Sequence, residues 1–192
     1  MHCTTGIADK TISNVDIIYI PFSSQEIGDI QIKSGDYQIQ VHIIEVRDLK
    51  AEDTDGLSDP VVYVEALGQK RNTKVAPKCL SAAFDERFIF NYRDMDKETF
   101  DAGQIRVNVM DADFGSRNDM IGAFVVDASQ IYFRPKHEFY REWVALIDDT
   151  NIADQGVQGY LKLSISIIGP GEKMPVHDEE SDKIEEKVSI ES

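Results

Sequence analysis

Cysteine is almost missing from these 192 residues: the chain has two, Cys3 and Cys79. One sits in a polar N-terminal stretch and the other in a loop between strand patterns. Neither a disulfide framework nor a zinc spacing can be built from them, so a reducing compartment is expected. Basic charge is also scarce. Lys and Arg number 20 against 35 Asp and Glu, a formal net charge of −15. That argues against a nucleic-acid partner, because phosphate binding needs a basic footprint. It does not exclude a membrane, since a bound cation can invert the sign of one face. Long apolar runs are lacking too. Val15-Asp16-Ile17-Ile18-Tyr19-Ile20 is too short to span a bilayer and carries a charge. The N-terminus has no basic region followed by an apolar core, so no secretory signal is expected. The four histidines, His2, His42, His137 and His177, share no spacing. No nucleophile–base pair and no phosphate-cradling glycine loop is visible, so no enzyme is expected.

What is present reads as strands. A hydrophobic fraction of 42% can fill one core. Residues 1–35 read as a leader with a β-like patch at Ile17 to Phe22. From Tyr37 the alternation is clear: Tyr37, Ile39, Val41 and Ile43 face one way, and Gln38, Gln40 and His42 the other. The phase slips near Ile44 to Val46, which predicts a bulge. Further short strands are predicted at Val61 to Ala66, Arg71 to Val75, Phe84 to Tyr92, Gln104 to Met110, Met120 to Val126, Tyr140 to Ile147 and Tyr160 to Ile168. Helical turns fit within Asp94 to Gly103 and at Ser129 to Phe133, and Trp143 and the phenylalanines are assigned to the core. Gly169-Pro170-Gly171 ends the last strand. The expected fold is all-β, an eight-stranded antiparallel sandwich over residues 36–171. An acidic tail at 172–192, without aromatics, is expected to be disordered.

Two loops concentrate the aspartates. The first runs Lys50-Ala51-Glu52-Asp53-Thr54-Asp55-Gly56-Leu57-Ser58-Asp59-Pro60; the second, Asp111-Ala112-Asp113-Phe114-Gly115-Ser116-Arg117-Asn118-Asp119. Each follows a strand. Two loops from the same end of an antiparallel sandwich can face each other, which would bring Asp53, Asp59, Asp111, Asp113 and Asp119 around one pocket. Crowded carboxylates repel unless a cation or a proton neutralises them, and hard oxygen donors suit Ca2+. The plainer alternative is that Asp simply favours turns. An EF-hand does not fit. Its sixth and twelfth positions want Gly and Glu, and both registers fail: Ser58 and Val64 counting from Asp53, Ser116 and Gly122 counting from Asp111.

These residues resemble a known family. Leu49-Lys50-Ala51-Glu52-Asp53 with Gly56-Leu57-Ser58-Asp59-Pro60 is similar to the first calcium loop of a C2 domain. Asp111-Ala112-Asp113 to Asn118-Asp119-Met120-Ile121-Gly122 is similar to its third. Phe84-Asp85-Glu86-Arg87-Phe88-Ile89-Phe90 resembles the family's aromatic strand, with Ser81-Ala82 where an Asn-Pro is usual. The strand order resembles the permuted type II arrangement. Ile131 to His137, Tyr140-Arg141-Glu142-Trp143 and Gly159-Tyr160-Leu161-Lys162 through Gly171 resemble the second C2 domain of ferlins, multi-C2 proteins of membrane fusion and repair.

The resemblance implies calcium-binding loops at one end, with the five aspartates holding two or three Ca2+ ions. Asp53 and Asp111 would bridge ions, and the Ser116 hydroxyl would add a ligand. It implies an open coordination shell completed by lipid oxygens on an anionic phospholipid membrane. Phe114, and more weakly Leu57, would enter the interface once the loop charge is cancelled, and Arg117 would meet a lipid phosphate. Lys70, Arg71 and Lys74 lie where the family often has a phosphoinositide patch; three interrupted charges read more simply as a solvated face. The expected function is a Ca2+-dependent membrane-binding module in trafficking, fusion or repair. It would be cytoplasmic and peripheral at membranes when Ca2+ is bound, with other ferlin-like domains or trafficking proteins as partners. The alternative is a Ca2+-independent protein-interaction scaffold.

Overall fold

The alternation that starts at Tyr37 becomes strand β1 (Gly35–Arg47), with Tyr37, Ile39, Val41 and Ile43 all buried. The predicted bulge is there. Pairing with both neighbouring strands slips between Ile43 and Glu45. One residue is thereby skipped, and Val46 rather than Glu45 returns to the core. The computed structural model describes residues 31–51, 56–112, 119–148, 150 and 156–177. The Ile17–Phe22 patch, Cys3 and the tail from Asp178 lie outside the described residues.

After β1 come β2 (Pro60–Ala66), β3 (Gln69–Asn72), β4 (Ala82–Met95), helix α1 (Lys97–Asp101), β5 (Gln104–Asp111), β6 (Asp119–Asp127), helix α2 (Ala128–Tyr132), β7 (Glu138–Ile147) and β8 (Val157–Ile168). These eight strands pair antiparallel in the order β3-β2-β5-β6-β7-β8-β1-β4. Between β6 and β7 the pairing is a single residue pair, Ala123 with Ile147. The sheet bends at that corner into two four-stranded layers. The last strand enters between β1 and β7, as the permuted order requires. The layers close on one apolar core that includes Ile39, Val41, Val62, Val64, Phe90, Val107, Leu163 and Ile165. Tyr92 of β4 reaches across to β2, where its hydroxyl donates to the Ala66 carbonyl at 2.5 Å. Burial there pushes its pKa up to about 12.

Two expectations are corrected. The strand predicted at Arg71 to Val75 is β3, and it ends at Asn72. Thr73 turns inward instead and is buried, its N–H donating to Val62 O and its hydroxyl accepting from Val62 N. Trp143 is not in the core; it is 37% exposed. β7 has a register shift between Phe139 and Glu142, with Arg141 at φ 50°. The shift changes phase, so Phe139 and Val144, five positions apart, both point inward and Trp143 points out.

Because every neighbour is antiparallel, the loops after β1, β3, β5 and β7 leave from one end of the sandwich. The β2–β3 turn, α1 and α2 occupy the other. Phe100 of α1 is fully buried and stacks on Tyr37 at 4.2 Å, with Tyr132 of α2 edge-on to both. That end is sealed by aromatic rings.

Candidate functional site

The end opposite the helices gathers the acidic strand ends. β2 pairs with β5 so that Pro60 faces Asp111, and β5 pairs with β6 so that Asp111 faces Asp119. Asp59, Asp111 and Asp119 therefore lie at three adjacent strand ends. The link between the first two is direct. Asp59 N–H donates to Asp111 Oδ1 at 2.7 Å, and Ala112 N–H donates to Asp59 O at 3.0 Å. Asp111 is 3% exposed, Asp59 half-buried and Asp119 exposed.

The loop between β3 and β4 closes over Asp59, and the sequence connected none of its residues with the aspartates. Lys78 N–H donates to Asp59 Oδ1 at 2.6 Å, and Cys79 N–H donates to Ser58 O at 2.8 Å. Lys78 has φ 55°, a conformation that turns its amide toward the carboxylate. No spacing in the sequence signals this. The Cys79 thiol registers the neighbourhood: burial pushes its pKa up, and the Asp59 charge adds to the rise. Ser58 is fully buried, and its hydroxyl donates to Lys50 O at 3.4 Å. Lys50 N–H in turn donates to Gln158 O of β8 at 2.8 Å. Gly159 makes that approach possible: a Cβ there would stand 2.8 Å from Leu49 Cδ2.

Asp53, Asp113, Ser116, Phe114 and Arg117 lie outside the described residues, as do Glu52 and Asp55. Among the described residues, no group of three His, Cys, Asp or Glu side chains is arranged to hold a metal ion. Those that are present fit Ca2+ in kind. They are hard carboxylate oxygens, and one, on Asp111, is buried with a single described hydrogen bond. A buried carboxylate gains from further neutralisation. Leu57 is half-buried.

The three basic residues have separate neighbours. Lys70 pairs with Glu65 at 3.0 Å, the Arg71 guanidinium lies 5.8 Å from the Phe90 ring centre, and Lys74 lies beyond β3, its N–H donating to Glu86. A cavity of about 440 Å3 lies elsewhere, on the outer face of β1, β4, β7 and β8. Its two histidines are taken: His42 by Asp85 and His177 by Glu138.

A family model for the C2 domain matches residues 37–146, and one for the FerI (NUC094) domain matches 148–192. The sheet continues past the first match, since β8 lies within the second. Among curated proteins, Ferlin 2 of Tetrahymena thermophila is 36% identical over 148 residues, covering 74% of this chain and 8% of that protein. Myoferlin of Xenopus tropicalis is 32% identical over 160 residues, 83% of this chain and 8% of that protein. The chain thus spans about a twelfth of the length of these relatives. Among solved structures, a single C2 domain of plant Extended Synaptotagmin 1 superposes with a TM-score of 0.54 at 18% identity, covering 77% of this chain and 100% of that one. The calcium-bound tandem C2 domains of Extended Synaptotagmin 2 superpose with a TM-score of 0.55 at 21% identity, covering 73% of this chain and 48% of that one. These likenesses speak to the fold.

Proposed function

Given that the chain belongs to the C2 domain family, we propose that it is a Ca2+-dependent phospholipid-binding module of a ferlin-like protein, acting at membranes in trafficking, fusion or repair. The observation that carries this is the meeting of Asp59, Asp111 and Asp119 at adjacent strand ends, with Asp111 buried. The ligands would be these three with Asp53 and Asp113, and Ser116 besides. Bound Ca2+ would supply positive charge and open coordination positions for phosphate or carboxylate oxygens. The chain's own part is to hold the carboxylates before the ion arrives. The Lys78 and Asp59 amides each fix one carboxylate oxygen and so limit how far Asp59 and Asp111 can swing apart. Phe114 and Leu57 would then enter the lipid interface, and Arg117 would meet a phosphate. Its place would be the cytoplasm, peripheral at membranes once Ca2+ is bound. Among the described residues no helix is long and apolar enough to cross a membrane.

The second reading is a Ca2+-independent interaction scaffold. It is favoured by the same two hydrogen bonds, since carboxylates that accept backbone amides also serve as loop fasteners. Sedimentation with phosphatidylserine vesicles, with Ca2+ and with chelator, separates the readings. Binding that chelator abolishes is expected. Absence of binding in both conditions leaves the scaffold, and equal binding in both removes Ca2+ from the account.

A further inference from the structure

The outer face of β1, β7 and β8 carries a patch unlike the rest of this acidic chain. Trp143 is 37% exposed, Tyr160 43% and Val157 52%. The Arg47 guanidinium lies 4.8 Å from the Trp143 ring centre, and the Lys162 ammonium 5.8 Å. The strand register explains the grouping: Arg47 pairs with Tyr160, and Trp143 pairs with Lys162. Arg47 also meets Glu45 at 3.0 Å. Lys162 has no ion pair among the described residues. A chain of formal charge −15 thus displays two cations on an exposed indole. Indole and phenol rings favour the water–bilayer boundary, and lysine or arginine beside them is drawn to anionic headgroups.

The patch is also fixed to the aspartate end. Arg47 is the last residue of β1, where the first acidic loop begins. Beside it, Lys50 is hydrogen-bonded to Gln158 of β8 and to Ser58, next to Asp59. A surface that meets the acidic strand ends from this side would therefore meet the patch as well.

We propose that Trp143, Tyr160, Arg47 and Lys162 form a second contact with an anionic phospholipid bilayer, so that the domain docks tilted, with its β1-β7-β8 flank against the headgroups. The inference rests on the membrane reading of the aspartate end, and it adds a flank that needs no calcium ligand.

Trp143 is the single tryptophan of the chain, so its fluorescence reports on this site alone. The whole chain is mixed with phosphatidylserine–phosphatidylcholine vesicles carrying a shallow bromolipid quencher, with Ca2+ or with chelator, and binding is measured in parallel by sedimentation. A blue shift and quenching of Trp143 in the sedimenting state are expected. Lys162→Ala should lower vesicle affinity about fivefold while its melting curve matches the parent. Sedimentation with Ca2+ but unshifted, unquenched emission and parental affinity of Lys162→Ala overturns the flank and leaves the calcium-loop reading standing. A shift with equal binding in chelator supports the flank and removes the calcium requirement. Failure to sediment in either condition overturns both.

Discussion

The two ends of this sandwich solve opposite problems. At the helical end, Phe100, Tyr37 and Tyr132 pack ring against ring, and Ala128 N–H donates to Gly103 O at 2.8 Å, joining α2 to the turn after α1. Apolar area leaves water there and backbone groups are paired, both of which favour the folded state. At the other end, three aspartates meet at neighbouring strand ends. Like charges held close together oppose folding unless something neutralises them. One end holds the layers together; the other, on the proposed reading, is organised to wait for a ligand. On that reading stability and binding are kept about a strand's length apart, so each can be perturbed separately.

The largest separation should come from Phe100→Ala. Phe100 is fully buried between Tyr37 and Tyr132, and such truncations cost about 3–5 kcal/mol. Urea denaturation should show that loss, while any Ca2+-induced rise in melting temperature persists at the same size. If the rise vanished as well, the two ends would be coupled and the contrast between them would fail.

Next in size is the converse test at Asp111. Saturation with Ca2+ at about a hundredfold over its Kd should stabilise the parent by about 2.7 kcal/mol, a rise of roughly 10 °C in a domain of this size. Asp111→Asn retains a side-chain oxygen that can accept from Asp59 N–H but has no charge. It should fold with a similar core and lose most of that rise in differential scanning fluorimetry. A rise left intact would remove Asp111 from the ligand set.

The contrast also orders what the sequence disclosed. The strands were legible because their core positions repeat at period two, and the β1 bulge was legible because the repeat visibly slips at Ile44. The Trp143 orientation was not, since the shift in β7 falls between Phe139 and Glu142, where Tyr140 and Arg141 offer no apolar clue. The end of β3 was hidden for a related reason. Its four residues, Gln69 to Asn72, form a charged edge strand with no buried member, as suits a strand open on one side. At the acidic end, the aspartates announced themselves by type and spacing. The amides that orient them did not: Lys78 lies in a loop whose sequence is ordinary, and its contact with Asp59 exists only once β2 and β4 are in place. Backbone donors have no side-chain signature, so sequence identifies the charges and leaves their clamps unseen.

The smallest expected effect sharpens the comparison most, because it places the same chemistry at the wrong end. Asp96 caps α1: its carboxylate accepts from Thr99 N–H at 2.7 Å and from Thr99 Oγ1 at 2.8 Å. Those bonds hold its pKa below the ordinary carboxylate value. A carboxyl whose pKa is lower in the folded chain contributes stability above its unfolded value and loses it as pH falls through the folded one. Asp96 therefore adds a small acid-side slope to stability below about pH 4. Asp96→Asn, which can still accept from Thr99 N–H, should flatten that slope in urea titrations at descending pH and leave the Ca2+ response untouched. Asp59 and Asp111 also accept backbone amides, but at the acidic end, with Asp111 buried and Asp59 half-buried. If Asp96→Asn altered the calcium response as Asp111→Asn does, amide-bonded aspartates would be interchangeable between the ends. Position at the acidic strand ends would then not be what the proposed ligand role depends on.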